Sequence, residues 1–287
     1  MRSVSRLIEE ARESTNIDSQ DAVTDKLCVA YLNRIQAYIQ NLVFTSNTES
    51  RFFKGNASFN IQTGYDTYQL PFNVYNENSI NTVQIKYSSG SSYSYAPLKK
   101  ISEKRRGQEC GYYVYNNNLV LSPIPSTSDL IVVSYQKRLP TLGLIVGNVD
   151  SVIDPTITIS TNLLNANASV FSDFISTVDN EGVIKTYGNR IVSDTLTSIT
   201  TNSTDGILVG QNVIYGEYST NIPQLPNECE PLLIEMLERC MLARLSSKDV
   251  QIANMFTSEM VGNLLEVFKE NSGDSFTPPT PEWSEWI

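Results

Sequence analysis

The hydrophobic pattern changes period twice along this 287-residue chain, and that change constrains the fold more than any other feature. Apolar residues recur every three or four positions at both ends and tend to alternate between them. In residues 19–44, Val23, Leu27, Tyr31, Arg34/Ile35, Tyr38 and Leu42 form one stripe of a long helix, with Asp18 or Ser19 as a suitable N-cap. A shorter helix, Val4–Glu13, precedes it with Leu7, Ile8 and Ala11 inward. After Pro226, residues 231–245 place Leu233, Met236/Leu237, Cys240, Met241 and Arg244/Leu245 on one side. Ser246-x-x-Asp249 resembles a capping box and predicts a further helix over Lys248–Glu270, with Ala253, Phe256, Met260, Leu264 and Val267/Phe268 inward. None of these stripes can be covered by its own helix, so the first and last helical regions are expected to pack together.

The middle reads as β. Strands are expected at Ala57–Gln62, Thr67–Leu70, Ile80–Tyr87, Tyr93–Leu98 and Leu130–Lys137. Tyr112–Tyr115 and Leu119–Leu121 flank Asn116-Asn117-Asn118, a hairpin signal because Asn tolerates left-handed φ. A second β-rich stretch carries Thr156–Ser160, Val183–Tyr187, Ile191–Ile199 and Ile207–Tyr215, punctuated by glycines. The predicted class is α+β: a helical body from both ends of the chain, inserted β-rich subdomains and an extended C-terminal arm. The segments are N-terminal helices 1–45, a β-rich domain 46–140, an inserted β subdomain 141–226, C-terminal helices 227–270 and a docking arm 271–287.

Composition removes several chemistries. The chain has no histidine, which excludes His-based triads and His-ligated zinc or haem. Its four cysteines include no Cys-x-x-Cys pair and read as reduced thiols of an intracellular product. The N-terminal residues lack the apolar core of a signal peptide, and no run approaches a membrane span. No dinucleotide fingerprint, phosphate-binding loop or GxSxG elbow is present, so no enzyme activity and no cofactor are expected. Asp173, Asp179, Glu181 and Asp205 lie in or near Gly/Asn-containing turns without EF-hand spacing; solvated turn carboxylates are the simpler reading than calcium ligands. The many tyrosines of residues 65–135 suit strand packing, with sugar stacking as the alternative.

Two features point to partners. Net charge is −10, yet Lys99, Lys100, Lys104, Arg105 and Arg106 form one basic cluster, while the acid concentrates after residue 138. Such a loop meets DNA phosphate, faces an acidic neighbouring subunit or is simply solvated. The only tryptophans, Trp283 and Trp286, lie behind Pro278, Pro279 and Pro281. Leaving two indoles in water forgoes roughly 200 Å² of burial each, so they call for a partner surface or for docking back on their own chain.

The layout resembles the head-to-tail adaptor (connector, head-completion) proteins of short-tailed bacteriophages. The likeness rests on the N-terminal helices, the Tyr68-x-Leu70-Pro71 strand end, the closing Tyr135-x-Lys137-Arg138 strand, the β insertion including Val170–Gly216, and the paired C-terminal helices. The resemblance implies a structural virion protein made in the host cytoplasm and located at the neck. It implies a homo-oligomeric ring, commonly of twelve subunits, that joins portal to tail proteins and passes genomic DNA without sequence specificity or membrane contact. An extended arm carrying Phe276, Trp283, Trp286 and Ile287 would grip the portal. A β-rich tail or receptor-binding module recognising glycans is the alternative.

Overall fold

Ser3 and Thr24 start the two N-terminal helices. In a computed structural model, which describes residues 1–17, 23–46, 51–89, 92–125, 130–160, 172–246 and 251–270, each hydroxyl accepts from a backbone N–H three residues on. These are α1 (Val4–Thr15) and α2 (Asp25–Thr45). Such side chains satisfy donors that a helix start leaves open. Asn16 closes α1 in the left-handed conformation, φ 52°. The C-terminal helices are α3 (Glu230–Leu245) and α4 (Ser258–Glu270). The chain divides into two compact units, Met1–Glu49 with Pro140–Ile287, and Ser50–Leu139.

In the first unit, α3 packs on both α1 and α2, and α4 contacts α2. Val4, Leu7, Ile8 and Ala11 of α1 are buried, as are Leu233, Met236, Leu237, Cys240 and Met241 of α3. The same unit holds β8 (Thr141–Leu142), β9 (Ile145–Ile153), β10 (Thr156–Ile159), β11 (Phe174–Val178), β12 (Ile184–Asp194), β13 (Ser198–Thr201), β14 (Asn212–Tyr215) and β15 (Ser219–Thr220). Strands β9–β14 close into an antiparallel barrel in the order β10-β13-β12-β11-β14-β9. Its interior is filled by side chains including Val146, Val149, Ile157, Ile175, Ile199 and Val213. One buried polar chain joins them: Thr177 donates to Gln211 Oε1 at 2.8 Å, its hydroxyl lies 2.9 Å from that of Thr186, and Asn189 donates to Thr186 at 3.0 Å. Linking the partners to one another lowers the cost of burying them.

Asn33 of α2 fixes where the barrel segment leaves the helices. Its Oδ1 accepts from Leu142 N–H at 2.7 Å and its Nδ2 donates to Leu142 O at 2.9 Å, as a neighbouring strand would. Gln36 donates to Pro140 O at 2.8 Å.

The second unit is a small two-sheet sandwich built from β1 (Lys54–Asn60), β2 (Thr67–Gln69), β3 (Ile80–Ser89), β4 (Ser92–Pro97), β5 (Gly111–Tyr115), β6 (Asn118–Ser122) and β7 (Leu130–Gln136). One sheet has the order β1-β7-β3-β4 and the other β2-β6-β5. Their facing side chains include Val83, Ile131, Val133 and Tyr135 on the first sheet and Tyr68, Tyr112, Leu119 and Leu121 on the second. Asn116 and Asn117, at φ 48° and 59°, turn the β5–β6 hairpin as their side-chain chemistry predicts.

The structure corrects several expectations. Helix α2 begins at Asp25 behind Thr24, not behind Asp18 or Ser19, which lie outside the described residues. Its buried face is Cys28, Tyr31, Leu32, Ile35, Gln36, Ile39, Gln40 and Val43. The face is rotated and widened because α1, α3, α4 and the Leu142 segment all contact this helix. The last helix starts at Ser258, about ten residues late: Ile252–Met255 form a 3₁₀ turn, Ala253 is exposed, and Thr257 caps α4 by accepting from Met260 N–H at 3.2 Å. Val183–Tyr187 and the start of Ile191–Ile199 form one strand, β12, because Gly188 at φ +69° is absorbed as an irregularity instead of ending the ladder. Strands β9 and β11 had no reading of their own in the sequence. The arm residues Phe276, Trp283, Trp286 and Ile287 lie outside the described residues.

Candidate interaction surface

The basic cluster is a strap laid across the second sheet of the 50–139 unit. Tyr112 N–H donates to Lys99 O at 2.9 Å and Ile101 N–H donates to Tyr112 O at 2.8 Å, so the strap pairs with β5 before turning away. A 3₁₀ turn follows at Glu103–Arg105. Gly107, at φ +78°, then donates to Ser122 Oγ, which itself donates to Glu109 O.

Ile101 explains why the strap stays down. It is the only apolar residue among the five cations, and it is buried against Tyr113 and Val120. Those two side chains point away from the sandwich interior, which Tyr112, Leu119 and Leu121 occupy. Hence β5 and β6 run without alternation, because both of their faces are covered. Gly111 permits the approach: a Cβ there would stand 2.2 Å from Lys99 O.

All five cationic side chains belong to exposed residues. Arg105 pairs with Glu109, Arg106 with Asp66 at 2.6 Å, and Lys100 donates to Asn78 Oδ1 at 3.4 Å. These contacts hold the heads in place at little net energy, because exposed pairs contribute about 0–1 kcal/mol. The loops beside the strap carry Tyr65 and Ile124, both exposed, and Gly64 N–H donates to Pro125 O at 3.1 Å to join them.

The Tyr68-x-Leu70-Pro71 and Tyr135-x-Lys137-Arg138 segments meet in this unit. Past Tyr68-x-Leu70-Pro71, Asn73 Oδ1 accepts from Tyr135 OH at 2.9 Å and Asn73 O accepts from Arg138 N–H at 2.6 Å. The Arg138 guanidinium lies 4.6 Å from the Phe72 ring centre. Burial lowers the pKa of the adjacent Lys137. These residues tie the first strand of one sheet to the last strand of the other, a structural task.

The acidic turns separate. Burial would raise the Asp179 pKa, but the Lys185 ammonium at 2.9 Å and the Val183 and Glu181 amides outweigh it and lower the value. Asp173, Glu181 and Asp205 are exposed, and among the described residues no three His, Cys, Asp or Glu side chains gather as metal ligands. Tyr68, Tyr112, Tyr113 and Tyr135 are buried, while Tyr65, Tyr95 and Tyr115 are exposed. Cys28, Cys229 and Cys240 are buried, and burial pushes their thiols to about 11, 12 and 11.

The sequence reading missed a second exposed group, Ile153, Leu208 and Val209 on the barrel. The strand expected over Ile207–Tyr215 is only Asn212–Tyr215: Gly206 and Gly210, at φ +75° and +87°, bound a loop that leaves Leu208 and Val209 in water, and Ile153 stands beside the Asp154-Pro155 turn. No helix among the described residues is long and apolar enough to cross a membrane. No family model matches the chain, and no curated protein matches it.

Proposed function

We propose that this chain is a structural virion protein, a ring-forming adaptor that joins the portal of a short-tailed phage to its tail and lines part of the DNA channel. The observation that carries the reading is the path of the chain. Helices from both ends build one body, and each β-rich stretch, 50–139 and the barrel, departs as a single continuous excursion. This is the layout that the resemblance implies. The acidic balance supports it, since a wall that repels phosphate lets DNA slide. In this reading the arm bearing Phe276, Trp283, Trp286 and Ile287 grips the portal, and the strap meets DNA or a neighbouring subunit.

The test is co-sedimentation with portal rings of the same phage, followed by imaging. The full chain should bind as a ring. Truncation after Asn271 should leave a folded subunit that no longer joins the portal, and Trp283→Ala with Trp286→Ala should do nearly the same, because aromatic anchors dominate such contacts. A protein that ignores portal rings but forms trimers that bind glycans would replace the adaptor reading with that of a receptor-binding module.

A further inference from the structure

Two loop ends, one in each unit, hold large apolar side chains in water beside opposite charge. In the 50–139 unit, Tyr65 and Ile124 are 64% and 56% exposed. Their loops are bonded to the strap: Asp66, next to Tyr65 in sequence, pairs with Arg106, and Ser122, two residues before Ile124, accepts from Gly107 N–H. The five strap cations outnumber Asp66, Glu103 and Glu109, so this end is net positive. On the barrel, Ile153, Leu208 and Val209 are 75%, 64% and 65% exposed. Their loop runs along β9: Gly210 N–H donates to Val149 O at 2.8 Å and Thr204 donates to Asp154 at 2.7 Å. Asp154 and Asp205 are exposed on this turn and loop, and Asp150 is exposed on the adjoining strand β9.

We propose that these two ends dock on each other between copies of the chain. The basic end around Tyr65 and Ile124 of one subunit seats on the acidic barrel end around Ile153, Leu208 and Val209 of the next. Scattered single apolar residues on a surface need no explanation, but groups of them rimmed by charge mark interaction sites. The occupant follows from complementarity, since the strap end is cationic and the barrel end anionic within one sequence. Both ends are preformed by hydrogen bonds across their loops, which lowers the ordering cost of docking. Because two different patches meet, the contact is head-to-tail, and repetition gives a ring when the rotation closes. The inference deepens the adaptor reading and rests on it for the ring, by naming the subunit's own barrel as the partner of the strap.

The experiment is mass photometry and sedimentation of the full chain across concentration and salt. The parent should assemble, and less so at high salt. Two charge-reversed proteins, Lys104→Glu/Arg105→Glu and Asp150→Lys/Asp205→Lys, should each require roughly tenfold more protein to assemble, because they set like charges face to face. Mixed in equal amounts they should assemble again, since the acidic strap of one now meets the basic barrel of the other. That recovery also shows that both variants are folded. Unchanged assembly of both variants, or no recovery on mixing, overturns the contact. So does a parent that stays monomeric at every concentration; if that monomer still binds portal rings, the adaptor reading survives and only this contact falls.

Discussion

Replacing Gly111 by alanine puts a methyl carbon where the structure has no room for one. The added Cβ would lie 2.2 Å from Lys99 O and 2.9 Å from Ile101 Cγ2. The first neighbour is backbone and cannot rotate away, so the strap must lift. Lifting breaks the two hydrogen bonds between Lys99–Ile101 and Tyr112, at about 1 kcal/mol each. It also draws Ile101 out of its contact with Tyr113 and Val120, at about 1.5–3 kcal/mol for full exposure. The expected loss is about 3.5–5 kcal/mol when the strap lifts fully, confined to this unit. Urea unfolding of the full chain gives the size, and amide hydrogen exchange over residues 98–112 gives the place. Gly262→Ala is the control: nothing lies within 4 Å of its added Cβ and it sits inside α4, so it should be neutral or gain up to about 1 kcal/mol. A Gly111→Ala protein that loses less than about 1 kcal/mol and keeps the parent's exchange over the strap would show that the close approach does not hold the loop.

Leu233→Asp buries an unpaired carboxylate where α3 meets its neighbours and should cost about 3–5 kcal/mol, read as a fall in Tm; Phe256→Asp, half-buried against Tyr38 at 4.7 Å, should cost less. Thiol titration of the native protein near pH 8 should label Cys110 quickly, while Cys28, Cys229 and Cys240 stay protonated and buried and react only on unfolding. The Asp179 pKa is lowered in the folded state, so its contribution is present above the unfolded value of about 4 and disappears as pH falls through the folded value. Asp179→Asn should therefore flatten the acid side of the Tm–pH curve, and an unchanged slope would discount the Lys185 contact.

The helices were legible where one periodic face meets one neighbour. Leu7, Ile8 and Ala11, and Leu233 through Met241, were read correctly because each lies on a single stripe. Helix α2 was misread because three helices and the Leu142 segment contact it, so even Gln36 and Gln40 are buried. Barrel closure was not legible. Strand β9 carries Gly147, Asn148 and Asp150 among its apolar residues, and its partners β10 and β14 are set by long-range pairing, not by local pattern. The five cations of the strap were plain in the sequence. Its attachment was not, because Ile101 matters only once the outward side of β5 and β6 is known to need a cover.

Barrel closure also limits how this protein can meet partners. A closed barrel has no edge strand, so nothing can add to it by backbone pairing. The four-stranded sheet of the other unit keeps two edges, β1 and β4, which begin at Lys54 and end at Pro97, residues that discourage strand addition. The three-stranded sheet has the strap paired on β5 at one edge and only the three residues of β2 at the other, so little open backbone is left for strand addition. At the two loop ends proposed to dock, Ile153, Leu208, Val209, Tyr65 and Ile124 are among the most exposed large apolar residues described, and Arg105 and Arg106 carry charge opposite to that of Asp150 and Asp205. Contacts of this kind are salt-sensitive and specific in register, whereas strand addition to an open edge would recruit any extended chain. The ring proposed above, in which copies join in one fixed order, is better served by the first.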